Sequence, residues 1–240
     1  MNGFSFFAAG ILVYVAVIVF IVGIAYQIIT WVRAPASAVR LGLYPKPGSR
    51  GVRFFKLIKD SFIFPHSAEV DPWMWVFAII FHFSLAAVLI AHFRMIREFT
   101  PVANALGEEG MERLGAIAGG TFGVLLLIAI IYYLLRRFIS PYKELSVFED
   151  YFILFLLIAV VLLGDHLRFF AEFSVKDYRA YMHSILVFKP AFPPAIASSG
   201  SKWVLTMHVF FVNLFVIYFP FSKLTHAVGT FAVNTVRSDS

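Results

Sequence analysis

Apolar and polar positions along this chain separate into long blocks, with neither the alternation of strands nor the short stripes of surface helices. Five blocks stay apolar for about 20 residues or more, the length a helix needs to cross a hydrocarbon core of ~30 Å. They run roughly 4–31, 72–97, 114–138, 147–171 and 203–227, and polar connections separate them. The pattern predicts an all-α integral membrane protein with five transmembrane helices. The first block has no basic leader and no evident small-residue cleavage site, so it is expected to be a retained helix. Turn-forming Pro and Gly fall between blocks, in YPKPGSRG and in KPAFPPAIASSGSK. With no internal repeat, residues 1–240 are expected to form one membrane domain without an attached soluble catalytic module.

Composition sharpens this picture. The chain is 60% hydrophobic, 14% charged and has a mean hydropathy of +0.84, which is membrane composition. It contains no cysteine, which excludes disulfides, Cys-ligated iron–sulfur clusters and thiolate-ligated haem within the chain. A net charge of +6 could fit nucleic acid, but the basic residues lie between apolar blocks and not on one polar face. A lipid bilayer is the expected partner, and no nucleic acid is expected.

The basic residues also set an expected orientation. The first connection carries Arg33, Arg40, Lys46, Arg50, Arg53, Lys56 and Lys59, the third adds Arg136, Arg137 and Lys143, and the C-terminal end adds Lys223 and Arg237. Lys and Arg accumulate on the cytoplasmic side, so the N-terminus is expected outside and the C-terminus in the cytoplasm, across the cytoplasmic membrane.

Ionisable groups inside spans invite a functional explanation. The second span reads FHFSLAAVLIAHF, with His82 and His92, and the fifth carries His208 and His226. A bis-histidine haem takes one neutral imidazole nitrogen from each side of the porphyrin, so two antiparallel helices with two histidines each could hold two haems. With the second helix running outward and the fifth inward, the expected pairs are His82/His226 and His92/His208. Ten positions place His82 and His92 about 15 Å apart along a helix, whereas His208 and His226 would be about 27 Å apart. Closing that gap requires tilt or unwinding, and Pro220 is placed to break the last turns. Two other readings use the same residues: interhelical packing by histidine in a haem-free scaffold, and metal transport.

The segments FHFSLAAVLIAHF, LGAIAGGTFGVLLLIAIIYYLLRRFISP and LTMHVFFVNLFVIYFPFSKLTHAVG resemble the membrane cytochrome b, or gamma, subunit of respiratory nitrate reductase. Five helices, two b haems and quinol chemistry are what this resemblance implies, with His82, His92, His208 and His226 at the haem-ligand positions. The basic first loop, DYFILFLLIAVVLLGDHLRFF, VFKPAFPP and FPFSKLTHA look closer to another branch, the cytochrome b subunit of the sulfite-reduction-associated Dsr membrane complex and its heterodisulfide-reductase-like relatives. That branch implies menaquinol or menaquinone as substrate and a role in sulfur metabolism. Its implied partners are a cytoplasmic iron–sulfur protein similar to the heterodisulfide reductase catalytic subunit, periplasmic multihaem cytochrome and iron–sulfur subunits, and a second membrane subunit. The sequence departs from the nitrate reductase pattern near the start of the third span. Met111 stands where that family has a lysine associated with the quinol site.

Further residues are candidates around this framework. Arg94, Arg97 and Arg113 could bind haem propionates or orient a quinone, or could simply snorkel to the headgroups. Asp165 and His166 could accept quinol protons, or could be an ordinary polar helix end. Gly119, Gly120 and Gly123 make a smooth strip that admits either a neighbouring helix or a flat porphyrin. Trp73 and Trp75 read as an interfacial anchor, while His66 and His183 read as loop histidines.

Overall fold

A computed structural model describes residue 1, residues 3–33 and residues 49–230. Arg40, Lys46 and Arg237, three of the residues behind the expected orientation, lie outside these, as do the side chains of Arg50 and Arg53. The described residues contain no strand. Five helices are long and apolar enough to cross a membrane: Gly3–Arg33, Pro72–Met95, Thr100–Arg136, Phe148–Phe170 and Lys202–Phe221. Each coincides with one of the predicted spans.

In chain order the helices are α1 (Gly3–Arg33), α2 (Arg50–Phe62), α3 (Pro65–Val70), α4 (Pro72–His92), α5 (Thr100–Arg136), α6 (Tyr142–Leu145), α7 (Phe148–Phe170), α8 (Val175–Leu186), α9 (Pro194–Ser198) and α10 (Lys202–Tyr218). The third apolar helix begins well before the predicted residue 114. A short helical segment from Thr100 joins it through Gly107, whose φ of 70° interrupts the helix where a side chain would be strained. The fifth ends as Pro220 requires: α10 stops at Tyr218, Phe219–Phe221 and Lys223–Thr225 are short 3-10 turns, and extended Ser222 separates them.

The chain separates into two compact units, one of residues 1–17 and 80–216, the other of residues 18–79 and 217–240. In the first, Ala9, Leu167, Tyr181, Ile185, Phe192, Ile196 and Leu205 form the buried core. The helix widens to a π turn at Phe7–Ile11. Carbonyls near such a turn need outside donors, because water is absent at membrane depth. Tyr181 Oη donates to the Ala9 carbonyl at 2.6 Å and Asn213 Nδ2 to the Ala8 carbonyl at 2.9 Å. Gly10 leaves room for the Pro190 ring beside the same turn.

At the α5–α7 connection, Asp150 caps α7 by accepting from the Val147 amide and lies 3.6 Å from the Arg137 guanidinium. Tyr151 Oη donates to the Arg137 carbonyl at 2.9 Å, so the end of α5 and the start of α7 are tied together. In the second unit the broken end of the fifth span packs on α1. Pro220 occupies the notch left by Gly23, Gln27 Nε2 donates to the Pro220 carbonyl at 3.0 Å, and Phe20 meets Phe219 at 5.5 Å.

Candidate haem and quinol site

His82 stands on α4 next to Phe81, whose ring meets the imidazole edge-on at 5.2 Å. His92 is the last residue of α4, and its Nδ1 lies 2.7 Å from the Val88 carbonyl one turn earlier. His208 on α10 places Nδ1 3.0 Å from the Val160 carbonyl of α7. His226 resumes helical backbone after the break and places Nδ1 2.9 Å from the Lys223 carbonyl. A carbonyl only accepts, so in each of these three contacts Nδ1 is the donor, and in a neutral ring Nε2 is then the nitrogen that carries the lone pair. Histidines that bind a metal are commonly held this way, with the outer nitrogen donating to a backbone carbonyl and the inner one turned to the ion. The donor chemistry therefore fits axial ligation of haem iron.

His92 and His208 share the first unit and lie within electrostatic range of each other. Gly164 of α7 makes room for the His208 ring: a side chain there would begin 3.1 Å from the imidazole Cε1. His82 also belongs to the first unit and His226 to the second. In the second unit a cavity of about 630 Å³ opens beside His226, bordered by Trp31, Asp60, His66 and Lys223 among others. His66, expected as an isolated loop histidine, shares this wall and lies 3.5 Å from Glu69.

The arginine candidates part company. Arg94 donates through Nε to Glu98 at 2.7 Å and through Nη1 to the Met111 carbonyl at 3.1 Å, and a side chain at Gly115 would collide with it. Arg179 of α8 reaches the other Glu98 oxygen at 2.7 Å and the Arg94 carbonyl at 3.0 Å. Glu98 thus bridges two guanidiniums, and the hydrogen bond from Arg94 holds its carboxyl below the usual carboxylate range. Met111 is buried, and the guanidinium at its carbonyl comes from the 3-10 turn Phe93–Met95 that follows α4. Arg97 and Arg113 are exposed.

Asp165 and His166 also diverge, because adjacent residues on a helix point about 100° apart. Asp165 turns into α5, where its carboxyl fills the notch at Gly123 and its Oδ2 is buried without a hydrogen-bond partner among the described residues. His166 is exposed and lies beside Phe170. The glycine strip receives α7 along its length: Arg168 at Gly119, Phe169 at Gly120 and Asp165 at Gly123. The Glu98–Arg179 link, Gly164 and the two donors to the π turn were not picked out from the sequence. Only Glu98 carried a local signal, as the fourth residue after Arg94 in the same turn region.

Fold and site together define a multi-pass helical membrane protein with His92 and His208 held by backbone carbonyls on its apolar helices. The chain belongs to the nitrate reductase gamma subunit family, whose model matches residues 71–238. It is similar to the Hdr-like menaquinol oxidoreductase cytochrome b-like subunit of Archaeoglobus fulgidus, at 28% identity over 91% of this chain and 75% of the relative. The subunit of the same description from Archaeoglobus profundus is 24% identical over 90% of this chain and 74% of the relative.

Proposed function

We propose that this chain is the di-haem b membrane subunit of a quinone-linked oxidoreductase complex in sulfur metabolism. In this reading it passes electrons between menaquinol and a cytoplasmic iron–sulfur subunit like the heterodisulfide reductase catalytic protein. The observation that carries the reading is the way His92 and His208 are held, each with Nδ1 against a backbone carbonyl, so that the other ring nitrogen is the one suited to a metal. The names of the two archaeal relatives supply the menaquinol and the heterodisulfide-reductase-like partner. A periplasmic multihaem cytochrome, an iron–sulfur subunit and a second membrane subunit complete the proposed assembly.

His92 with His208 would hold the outer b haem and His82 with His226 the inner one, with the N-terminus outside and the C-terminus cytoplasmic. Bound there, the two haems supply one-electron carriers in series for a substrate that releases two electrons and two protons. The remaining roles belong to the protein. The Glu98 bridge ties the turn after His92 to α8, and the carbonyl of Val160 orients His208. Asp165 offers its partnerless Oδ2 to a quinol proton inside the bundle, and exposed His166 offers a site at the rim. Arg94, anchored on Glu98, brings a cation against Met111, the position at which the nitrate reductase branch carries its lysine. The descriptions of the two archaeal relatives favour the heterodisulfide-reductase-like branch over a nitrate reductase gamma subunit proper.

The test is a dithionite-reduced minus oxidised spectrum of the chain purified from its native membrane, with pyridine-haemochrome quantitation of single His→Ala variants. Two b haems per chain are expected, one lost with His92→Ala or His208→Ala and the other with His82→Ala or His226→Ala. Protein without haem would overturn the proposal and leave a scaffold or transporter. Co-purification with a molybdenum-containing pair of subunits would move the assignment to nitrate reduction.

A further inference from the structure

The connection before α4 contains a second kind of membrane element. We propose that α2 is an interfacial helix lying in the plane of the bilayer surface, with its aromatic face among lipid chains and its lysines at anionic phospholipid headgroups.

Length excludes a span: the 13 residues of Arg50–Phe62 make a helix of about 20 Å, against a hydrocarbon core of ~30 Å. The sides of the helix differ sharply. At 100° per residue, Phe54, Ile58, Phe62 and Phe55 fall within one arc of roughly 100°. Lys56, Lys59 and Asp60 lie outside that arc. Between the sectors, Ser61 is buried and Leu57 half-buried, so this narrow edge is the one that packs on protein. On the aromatic arc, Phe54 is 58% and Phe55 73% exposed.

Comparison with α8 shows that this exposure is particular to α2. Both helices are short and amphipathic, and both have a serine at the N-cap. The apolar face of α8, through Tyr181 and Ile185, is buried in the core. That of α2 is turned outward, and an apolar face beside flanking lysines is the pattern of helices that bind a membrane surface.

The attachment of α2 fixes its depth. Trp75 Nε1 donates to the carbonyl of Ile63, one residue beyond α2, at 2.6 Å, and Asp71 Oδ1 caps α4 at the Met74 amide. The end of α2 is therefore held against the first turns of a membrane-spanning helix, where the chain enters the bilayer. Exposed Trp73 at the same level fits the aromatic belt of a membrane interface. Lys56 and Lys59 supply the charge complementarity that selects anionic lipid.

Because the chain has no cysteine, single introduced thiols report position without background. Full-length Phe55→Cys and Lys56→Cys chains, with Ile90→Cys in α4 as the spanning control, would be spin-labelled in vesicles of phosphatidylcholine with or without phosphatidylglycerol. Collision with oxygen reads lipid, and collision with a water-soluble nickel chelate reads water. The label at 90 is expected to be oxygen-accessible throughout. At 55 the oxygen-to-nickel ratio is expected to be severalfold higher than at 56, and to fall in a Lys56→Glu/Lys59→Glu background or when phosphatidylglycerol is omitted. Equal, nickel-dominated collisions at 55 and 56 with a lipid-buried label at 90 would overturn the interfacial helix alone. Water exposure at 90 as well would overturn the membrane reading with it. Shielding of position 55 from both reagents only after a water-soluble subunit is added would make this face a protein-docking surface and overturn the lipid assignment.

Discussion

Two glycines of α1 sit against proline rings, and the difference between them is a measurable consequence of packing. A Cβ at Gly23 would lie 2.5 Å from Cβ and 2.8 Å from Cγ of Pro220, whereas a Cβ at Gly10 would lie 3.2 and 3.3 Å from the same atoms of Pro190. The intrinsic term is similar for both: Gly→Ala in a helix gains about 1 kcal/mol of propensity. The steric terms differ. Ala at position 10 needs its neighbour to give a few tenths of an ångström. Ala at position 23 needs a rigid ring to retreat by about 0.9 Å to reach ordinary contact, and overpacking of that kind costs roughly 1–3 kcal/mol. Pro220 cannot swing aside as a long side chain would, because its carbonyl is held by Gln27 and its turn ends at Ser222. Gly10→Ala is therefore expected to be neutral or mildly stabilising, and Gly23→Ala to lose about 1–2 kcal/mol, or roughly 2–8 °C in melting temperature for a chain of this size. Parallel thermal melts of the two variants and the wild type in the same detergent, followed by helical circular dichroism, measure the contrast. Under the proposed di-haem reading, in which the turn at Pro220 leads to the ligand His226, Gly23→Ala is also expected to broaden or diminish one haem signal while Gly10→Ala leaves both. Equal melting shifts for the two variants would refute the steric argument.

Two further perturbations follow from single contacts. Tyr181→Phe leaves the buried Ala9 carbonyl at the π turn without its donor and is expected to cost about 1–3 kcal/mol, read as a lower melting temperature with helix content unchanged. Glu98→Gln weakens both guanidinium contacts. The bridge is only partly buried, so about 1 kcal/mol is expected, and the wild-type bridge should fail in acid. The sign is set by the depressed carboxyl: the stabilisation is present above the usual value of 4.5 and is lost as pH falls through the lower folded-state value. The difference in melting temperature between wild type and Glu98→Gln should therefore shrink below pH ~4.5, and a constant difference would refute the assignment.

The five apolar helices were legible because about 20 uninterrupted apolar residues admit few alternatives, and the break near Pro220 was legible because proline removes a backbone donor wherever it falls. The start of the third helix was not, since Glu108, Glu109, Glu112 and Arg113 interrupt the apolar run and Pro101 and Gly107 read as loop, yet Thr100–Leu106 is helical ahead of the Gly107 kink. The four histidines could be picked out by type and spacing, but their tautomers could not: the partner of His208 is the carbonyl of Val160, 48 positions away and chemically anonymous in sequence. The same limit applied to Asp165 and His166. As neighbours in LLGDHLRFF they read as one polar unit, yet helix geometry sends one into the Gly123 notch and the other to the surface.

That separation gives the two residues different work. A buried carboxyl oxygen without a hydrogen-bond partner among the described residues is placed to meet a ligand inside the bundle, while the exposed imidazole meets water at the rim. If quinol oxidation takes place at this end, the inward residue is suited to the first transfer and the outward residue to release. Asp165→Asn and His166→Gln should then impair different stages of one proton path, rather than duplicate each other.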